Sequence, residues 1–238
     1  MATNLGIPFG SGNFGTKILP AVLPGAVIQL NCLMVTPEII MSTAMRLFLQ
    51  HGVKTVTIDR IVKELHTSKR TIYAHFKDKT ALLKACLLSY HQRIRQENEE
   101  MISMSKNAIE AFGYLHQAIV KRAGQVNPNF FNDILHYYPG LLHESYRNSG
   151  NFAHQQLEQL AHWGMEDGIF LEDLDVPVIS KTVLELLKML KNTDLFPVTQ
   201  FSKERLTFGT LVPYMRGLCT SKGIKLLEKQ KELFQVAL

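Results

Sequence analysis

Thr36, Thr57, Ser68 and Asp78 each stand directly ahead of a run of apolar residues at helical spacing. A short polar side chain at such a point caps a helix, accepting a backbone N–H that has no partner within the helix. Caps this close together leave room only for short helices joined by tight turns. Thr36-Pro37-Glu38 adds a first-turn proline and an acid near the positive dipole end. Ile40, Ala44, Leu47 and Phe48 follow on one face, and Gly52 stops the helix. Thr57 opens a second helix with Ile58, Ile61, Val62 and Leu65 inward. Only His66 and Thr67 intervene before Ser68 opens a third, Lys69 to Phe76. Asp78 opens a fourth, from Lys79 to about residue 104, carrying Leu82, Leu83, Cys86, Leu87, Tyr90 and Ile94 on one face.

Two short helices about a tight turn, braced by a third, make a helix-turn-helix. The second helix of such a unit must be apolar inside and polar or cationic outside. Ile72 and Phe76 meet the first demand, and Lys69, Arg70, Thr71, Tyr73 and His75 the second. Arg and Lys can read guanine in the major groove, while Tyr, His and Thr can hydrogen-bond phosphates. The charge agrees. The chain is +5 overall, yet residues 38–97 hold eleven Lys/Arg against five Asp/Glu, and the remainder fifteen against sixteen. All the excess positive charge sits in one quarter of the sequence, the pattern an anionic partner requires.

The run AMRLFLQHGVKTVTIDRIVKELHTSKRTIYAHFKDKTALL, residues 44–83, resembles the DNA-binding domain of TetR-type transcriptional regulators. Leu47-Phe48, Gly52, Thr57, Ser68, Ile72-Tyr73, His75-Phe76, Lys79 and Leu82 stand at matching spacing. Two positions depart from the pattern. His66 replaces the turn glycine, and Thr80 replaces the acid after the phosphate-binding lysine. His tolerates a left-handed conformation better than most residues with a side chain, so the turn is expected to survive.

The resemblance implies an all-α chain. Residues 34–83 would form the helix-turn-helix domain, with the start of the connecting helix, and residues 84–238 a helical effector-binding and dimerisation domain. It also implies double-stranded DNA, a palindromic operator, as partner, and a homodimer formed through roughly residues 176–192 and 202–220. The function would be that of a cytoplasmic regulator, most often a repressor in this family, released from DNA by a small molecule. Lys69, Arg70 and Thr71 are the expected base readers. Thr57, Tyr73, His75 and Lys79 are the expected phosphate holders, and Ser68 is a further expected DNA-binding residue. Phe112, His116, Phe131, Tyr138 and Trp163 are the expected effector-lining residues, with filling the core as the alternative role for each.

The remaining pattern is helical. Asn107 with Glu110 forms a capping box ahead of Phe112, Leu115, Ile119 and Val120. Asn127-Pro128 opens another helix, and Pro139-Gly140 precedes a long one ending near Asp167. Val178, Ile179, Val183, Leu186, Leu187 and Leu190 form a stripe, and Ser202 caps a last helix that Pro213 should kink or break. Residues 1–33 carry one charge, Lys17, with five glycines and three prolines. They read as a flexible leader with Met34 as a candidate start. Pro20 and Pro24 interrupt its apolar stretch, against a signal peptide or a membrane span.

Other chemistry finds little support. Cys32, Cys86 and Cys219 are widely separated, which suits a reducing compartment and no disulfide framework. His136, His143, His154 and His162 lie in one region but lack an i, i+4 pairing, so no metal, cofactor or catalytic residue is assigned. The acidic connector Asp167, Glu172, Asp173 and Asp175 lacks the ligand spacing of a calcium loop. The alternative functions are a helical metal-dependent enzyme using that histidine-rich middle, or a helical adaptor that has lost DNA binding.

Overall fold

In the computed structural model, residues 35–235 are described, except the side chains of 142–150. The leader reading of residues 1–33 lies outside them. The helices are α1 (Pro37–His51), α2 (Ile58–Glu64), α3 (Lys69–His75), α4 (Lys79–Met104), α5 (Ala108–Gly124), α6 (Asn129–Tyr137), α7 (Pro139–Glu166) and α8 (Val176–Met189). Then come α9 (Lys203–Leu206), a π turn (Thr207–Leu211), α10 (Val212–Leu218), α11 (Ser221–Lys229) and a 3₁₀ turn (Lys231–Phe234). The only extended pairing among the described residues is an isolated antiparallel bridge between Phe170 and Cys219. The chain is all-α, as expected.

The caps do what their side chains predict. Thr36, Thr57, Ser68 and Asp78 accept the N–H groups of Ile39, Arg60, Thr71 and Ala81. Asn107 and Ser202 cap α5 and α9 in the same way. His66, in place of the glycine, takes a φ of 49° and is the one non-glycine with positive φ among the described residues. Thr67 can then return its N–H to the Val62 carbonyl at 3.1 Å.

The segment around Pro213, expected to form part of a dimer interface, departs from a simple kinked helix. Pro213 has no N–H to donate and crowds the carbonyl of the preceding turn. The chain meets this by widening into the π turn just ahead of it, so the helix passes through Pro213 without stopping. The first segment ends at Met189 rather than 192. The helix capped by Thr220 and the terminal 3₁₀ turn have no counterpart in the sequence expectations.

Two apolar clusters organise these elements. One gathers Ile40, Ala44, Leu47, Phe48, Val53, Val56, Ile61, Ile72, Leu82, Leu83, Cys86 and Leu87 from α1 to α4. It also takes Phe130 and Ile134 from α6, both almost fully buried. The other joins α5, the ends of α7 and α8, the π turn, α10, α11 and Phe234. Helix α4 runs from the first cluster to the second; its 26 residues span about 39 Å.

Candidate nucleic-acid interface

Helix α3 buries Ile72 in the first cluster and leaves its other faces open. Lys69, Arg70, Tyr73 and His75 are exposed, and Thr71 is half-buried. The Ser68 hydroxyl holds the first turn by accepting the Thr71 N–H at 3.1 Å, and lies 2.9 Å from the Thr71 hydroxyl. Thr57, exposed at the start of α2, accepts the Arg60 N–H at 3.2 Å and keeps its own hydroxyl proton for donation.

Two of the predicted contacts are already engaged. The Lys69 ammonium lies 2.7 Å from the Asp59 carboxylate across the turn, a pair that holds the lysine above its ordinary pKa. Both partners are well exposed, so the pair is weak and can exchange for a phosphate or a base. Lys79 differs more. Its ammonium donates to the Val53 carbonyl at 2.6 Å and lies 5.9 Å from the centre of the Phe48 ring. Burial lowers its pKa. The expected phosphate holder is turned inward here, closing the loop between α1 and α2. Arg70 is the cation on α3 with no ion pair or hydrogen bond among those described, and it stands fully at the surface.

The residues expected to line an effector site fall into two groups. Phe112 and His116 are buried on α5, and Trp163 packs half-buried against the same second cluster. Phe131 and Tyr138 are elsewhere. Phe131 is half exposed on α6, and Tyr138 packs against the DNA-binding cluster. Spacing on α6 places Phe130 and Ile134, rather than Phe131, on the inward face, so the five do not converge.

His116 is 3% exposed; its Nε2 lies 3.2 Å from the Thr207 hydroxyl in the π turn, and its Nδ1 has no partner. Burial, with Lys191 adding to it, pushes its pKa down to about 4, so the ring is neutral at physiological pH. Nearby, the Arg122 guanidinium donates to Asn98 at 2.8 Å, and Asn98 donates to Gln156 at 3.0 Å. This network ties α4, α5 and α7 together and was not read from the sequence. No set of three His, Cys, Asp or Glu residues able to hold a metal ion occurs among the described residues, and His154 faces Ser180 at 3.4 Å.

Helix α6 and the residues just before it are tied to the first cluster. Asn127 donates its backbone N–H to the Leu49 carbonyl at 2.7 Å and its side-chain amide to the Gln50 carbonyl at 3.1 Å. It thus satisfies orphan carbonyls at the end of α1. The Lys54 ammonium lies 5.3 Å from the centre of the Tyr137 ring.

A basic, exposed second helix held by a capped first one defines a helix-turn-helix DNA-binding protein. Residues 40–86 match the family described as bacterial regulatory proteins, tetR family, so the resemblance seen in the sequence is real and the chain carries a TetR-type regulatory domain. No curated protein matches the chain in sequence. Among solved structures, the reduced form of Escherichia coli NemR is similar at 16% identity and a TM-score of 0.63, over 79% of this chain and 99% of that one. A TetR-family transcriptional regulator from Streptomyces coelicolor is similar at 20% identity and a TM-score of 0.54, over 77% and 90%. SmeT, the repressor of the Stenotrophomonas maltophilia multidrug efflux pump SmeDEF, is similar at 17% identity and a TM-score of 0.59, over 79% and 92%. At these identities the likeness is one of fold.

Proposed function

We propose that the chain is a sequence-specific DNA-binding repressor, acting as a homodimer and released from its operator by a small molecule. The observation that carries this reading is the outer face of α3, where Arg70, Tyr73 and His75 stand exposed beside Lys69 in a segment of the TetR type. Residues 34–83 are the reading head and 84–238 the effector and dimer domain. Arg70, with Lys69 and Thr71, reads bases; Thr57, Tyr73, His75 and Lys79 hold phosphates, with Ser68 a further DNA contact.

Dimerisation through α8 and the α9–α10 helix has its own support. Gly209, Pro213 and Gly217 recur at four-residue spacing and are exposed, and a Cβ built on either glycine meets nothing within 4 Å. A second copy could approach that backbone closely. Exposed Val178 at the start of α8 adds an apolar contact. A two-fold dimer presents two α3 helices to successive major grooves, so its operator is palindromic.

The test is selection of bound duplexes from a random pool, followed by affinity measurements on the selected site and on random DNA. Arg70→Ala should cost about 1–3 kcal/mol at one base pair of each half-site and little on random DNA. Equal losses on both would remove its assigned role. Failure to enrich any palindrome would remove the reading itself.

A further inference from the structure

Phe234, four residues from the C-terminus, is fully buried in the second cluster. Its ring stacks on Phe112 and on His116, with both centroid distances 6.2 Å and both interplanar angles 26°. The turn that carries it is only Lys231–Phe234, and Lys231, Glu232 and Gln235 around it are exposed. Gly113 makes the seat: a Cβ there would stand 2.7 Å from the Leu233 Cβ. Lys231 reaches the π turn, its ammonium 5.2 Å from the centre of the Phe208 ring.

The polar groups around this seat are incompletely satisfied. His116 Nδ1 and Gln230 Oε1 are both buried without a partner. A buried polar atom left unpaired is costly, and a group that paired with it would be favoured. An aromatic ring in contact with an unpartnered, neutral imidazole has the form of a ligand site, filled here by the chain's own Phe234.

We infer that the short turn Lys231–Phe234 is a displaceable plug, and that the site beneath it, walled by Phe112, Gly113 and His116, takes a planar aromatic molecule bearing one hydroxyl or carbonyl group. The molecule's ring replaces the Phe234 ring, and its polar group pairs with His116 Nδ1. Lifting one four-residue turn exposes far less apolar surface than separating the helices of the core, so a ligand can enter without global unfolding. Because Thr207 bonds His116 and Phe208 meets Lys231, a change in the seat reaches the π turn of the proposed dimer helix directly. This inference rests on the effector reading above.

The experiment uses the full chain with 2-naphthol as probe, followed by calorimetry and by amide hydrogen exchange. The amides of Leu233 and Gln235, which donate to Gln230 and Glu232, report on the turn. Without probe they should exchange by local opening, faster than the amides of residues 109–116 in α5. Saturating 2-naphthol should speed them further while slowing those of α5. A chain ending at Gln230 should still melt cooperatively and bind 2-naphthol about ten- to a hundredfold more tightly, because no plug competes. In the full chain, His116→Phe should abolish the preference for 2-naphthol over naphthalene.

Exchange of Leu233 and Gln235 only through global unfolding would overturn the plug, as would loss of cooperative melting in the shortened chain. Absence of 2-naphthol binding to either chain would overturn the site. Operator affinity measured in parallel separates the two readings. A probe that opens the turn without weakening operator binding sinks the effector reading and leaves the plug in place.

Discussion

The carboxylate of Asp133 accepts the backbone N–H of Lys54 at 2.7 Å, across 79 residues of sequence. Asp133 lies on α6, and Lys54 lies in the loop that leads into the helix-turn-helix. A Cβ built on Gly52 would come within 2.8 Å of the same carboxylate. Together with Asn127 on the end of α1, this contact makes α6 part of the support of the DNA-binding head. It links α6 to the loop ahead of α2 without passing along α4.

Gly52 has a φ of 81° and a ψ of 158°, a region that only glycine enters readily. Gly52→Ala should therefore destabilise the protein by about 1–3 kcal/mol from backbone strain alone, with more from displacing Asp133. Asp133→Ala should cost about 1 kcal/mol through the lost hydrogen bond. In the double variant the steric part of the Gly52 cost disappears, so the two losses should sum to less than their separate values by at least about 0.5 kcal/mol. Urea denaturation of the four chains measures this, and strict additivity would count against the contact.

Lys79 offers a test of how far the head rearranges on DNA. If its ammonium leaves the Val53 carbonyl for a phosphate, Lys79→Ala should weaken binding to operator and random DNA alike and shallow the salt slope by about one unit. If the ammonium stays where this structure has it, the slope should not change, and the variant should instead lower the melting temperature of the free protein. Titrations at several salt concentrations, with a thermal melt, decide between them.

His116 should make stability depend on pH. Its folded pKa is about 4 against an ordinary value of 6.5. Between those values the unfolded chain binds a proton that the folded one refuses, so stability is full above about pH 6.5 and falls toward pH 4. At about 1.36 kcal/mol per pKa unit the loss approaches about 3 kcal/mol. Urea midpoints from pH 7 to pH 4.5 should fall less steeply in His116→Phe than in the parent chain. Parallel curves would show that the ring is not held neutral.

The two described cysteines should be inert in the folded protein. Burial raises the Cys86 thiol to about 12 and the Cys219 thiol to about 11. At pH 8 the thiolate fraction is then about 10⁻⁴ for Cys86 and about 10⁻³ for Cys219. In a Cys32→Ser background, a disulfide reagent should react with both only as fast as the protein opens. Rapid modification of either under native conditions would contradict the burial seen here.

The helix-turn-helix was legible because its signals are local. A cap binds an N–H three residues away, an inward face repeats every turn, and a left-handed turn needs one tolerant residue, here His66. Thr57, Ser68 and the apolar positions of α3 all follow from that short-range logic. The effector-lining residues were not legible to the same degree. A helical aromatic can point at either of two neighbours, and only the docking of α6 on α1 sends Phe130 and Ile134 inward while leaving Phe131 half exposed. The contact of Lys79 with Val53 was not legible for a related reason, since a long side chain chooses between partners that lie far apart in sequence.

The sequence by itself determined the number and type of the first four helices, their caps, the tight turn and the polar face of α3, because each rests on hydrogen bonds and periodicity within a few residues. Tertiary structure alone decided which distant groups meet: Asp133 with Lys54, Lys79 with Val53, His116 with Thr207 and Phe234, Arg122 with Asn98. These pairings join residues 24 to more than a hundred positions apart. No local propensity encodes them. They arise when two apolar clusters close at once and each buried polar group takes whatever partner the packing brings within reach.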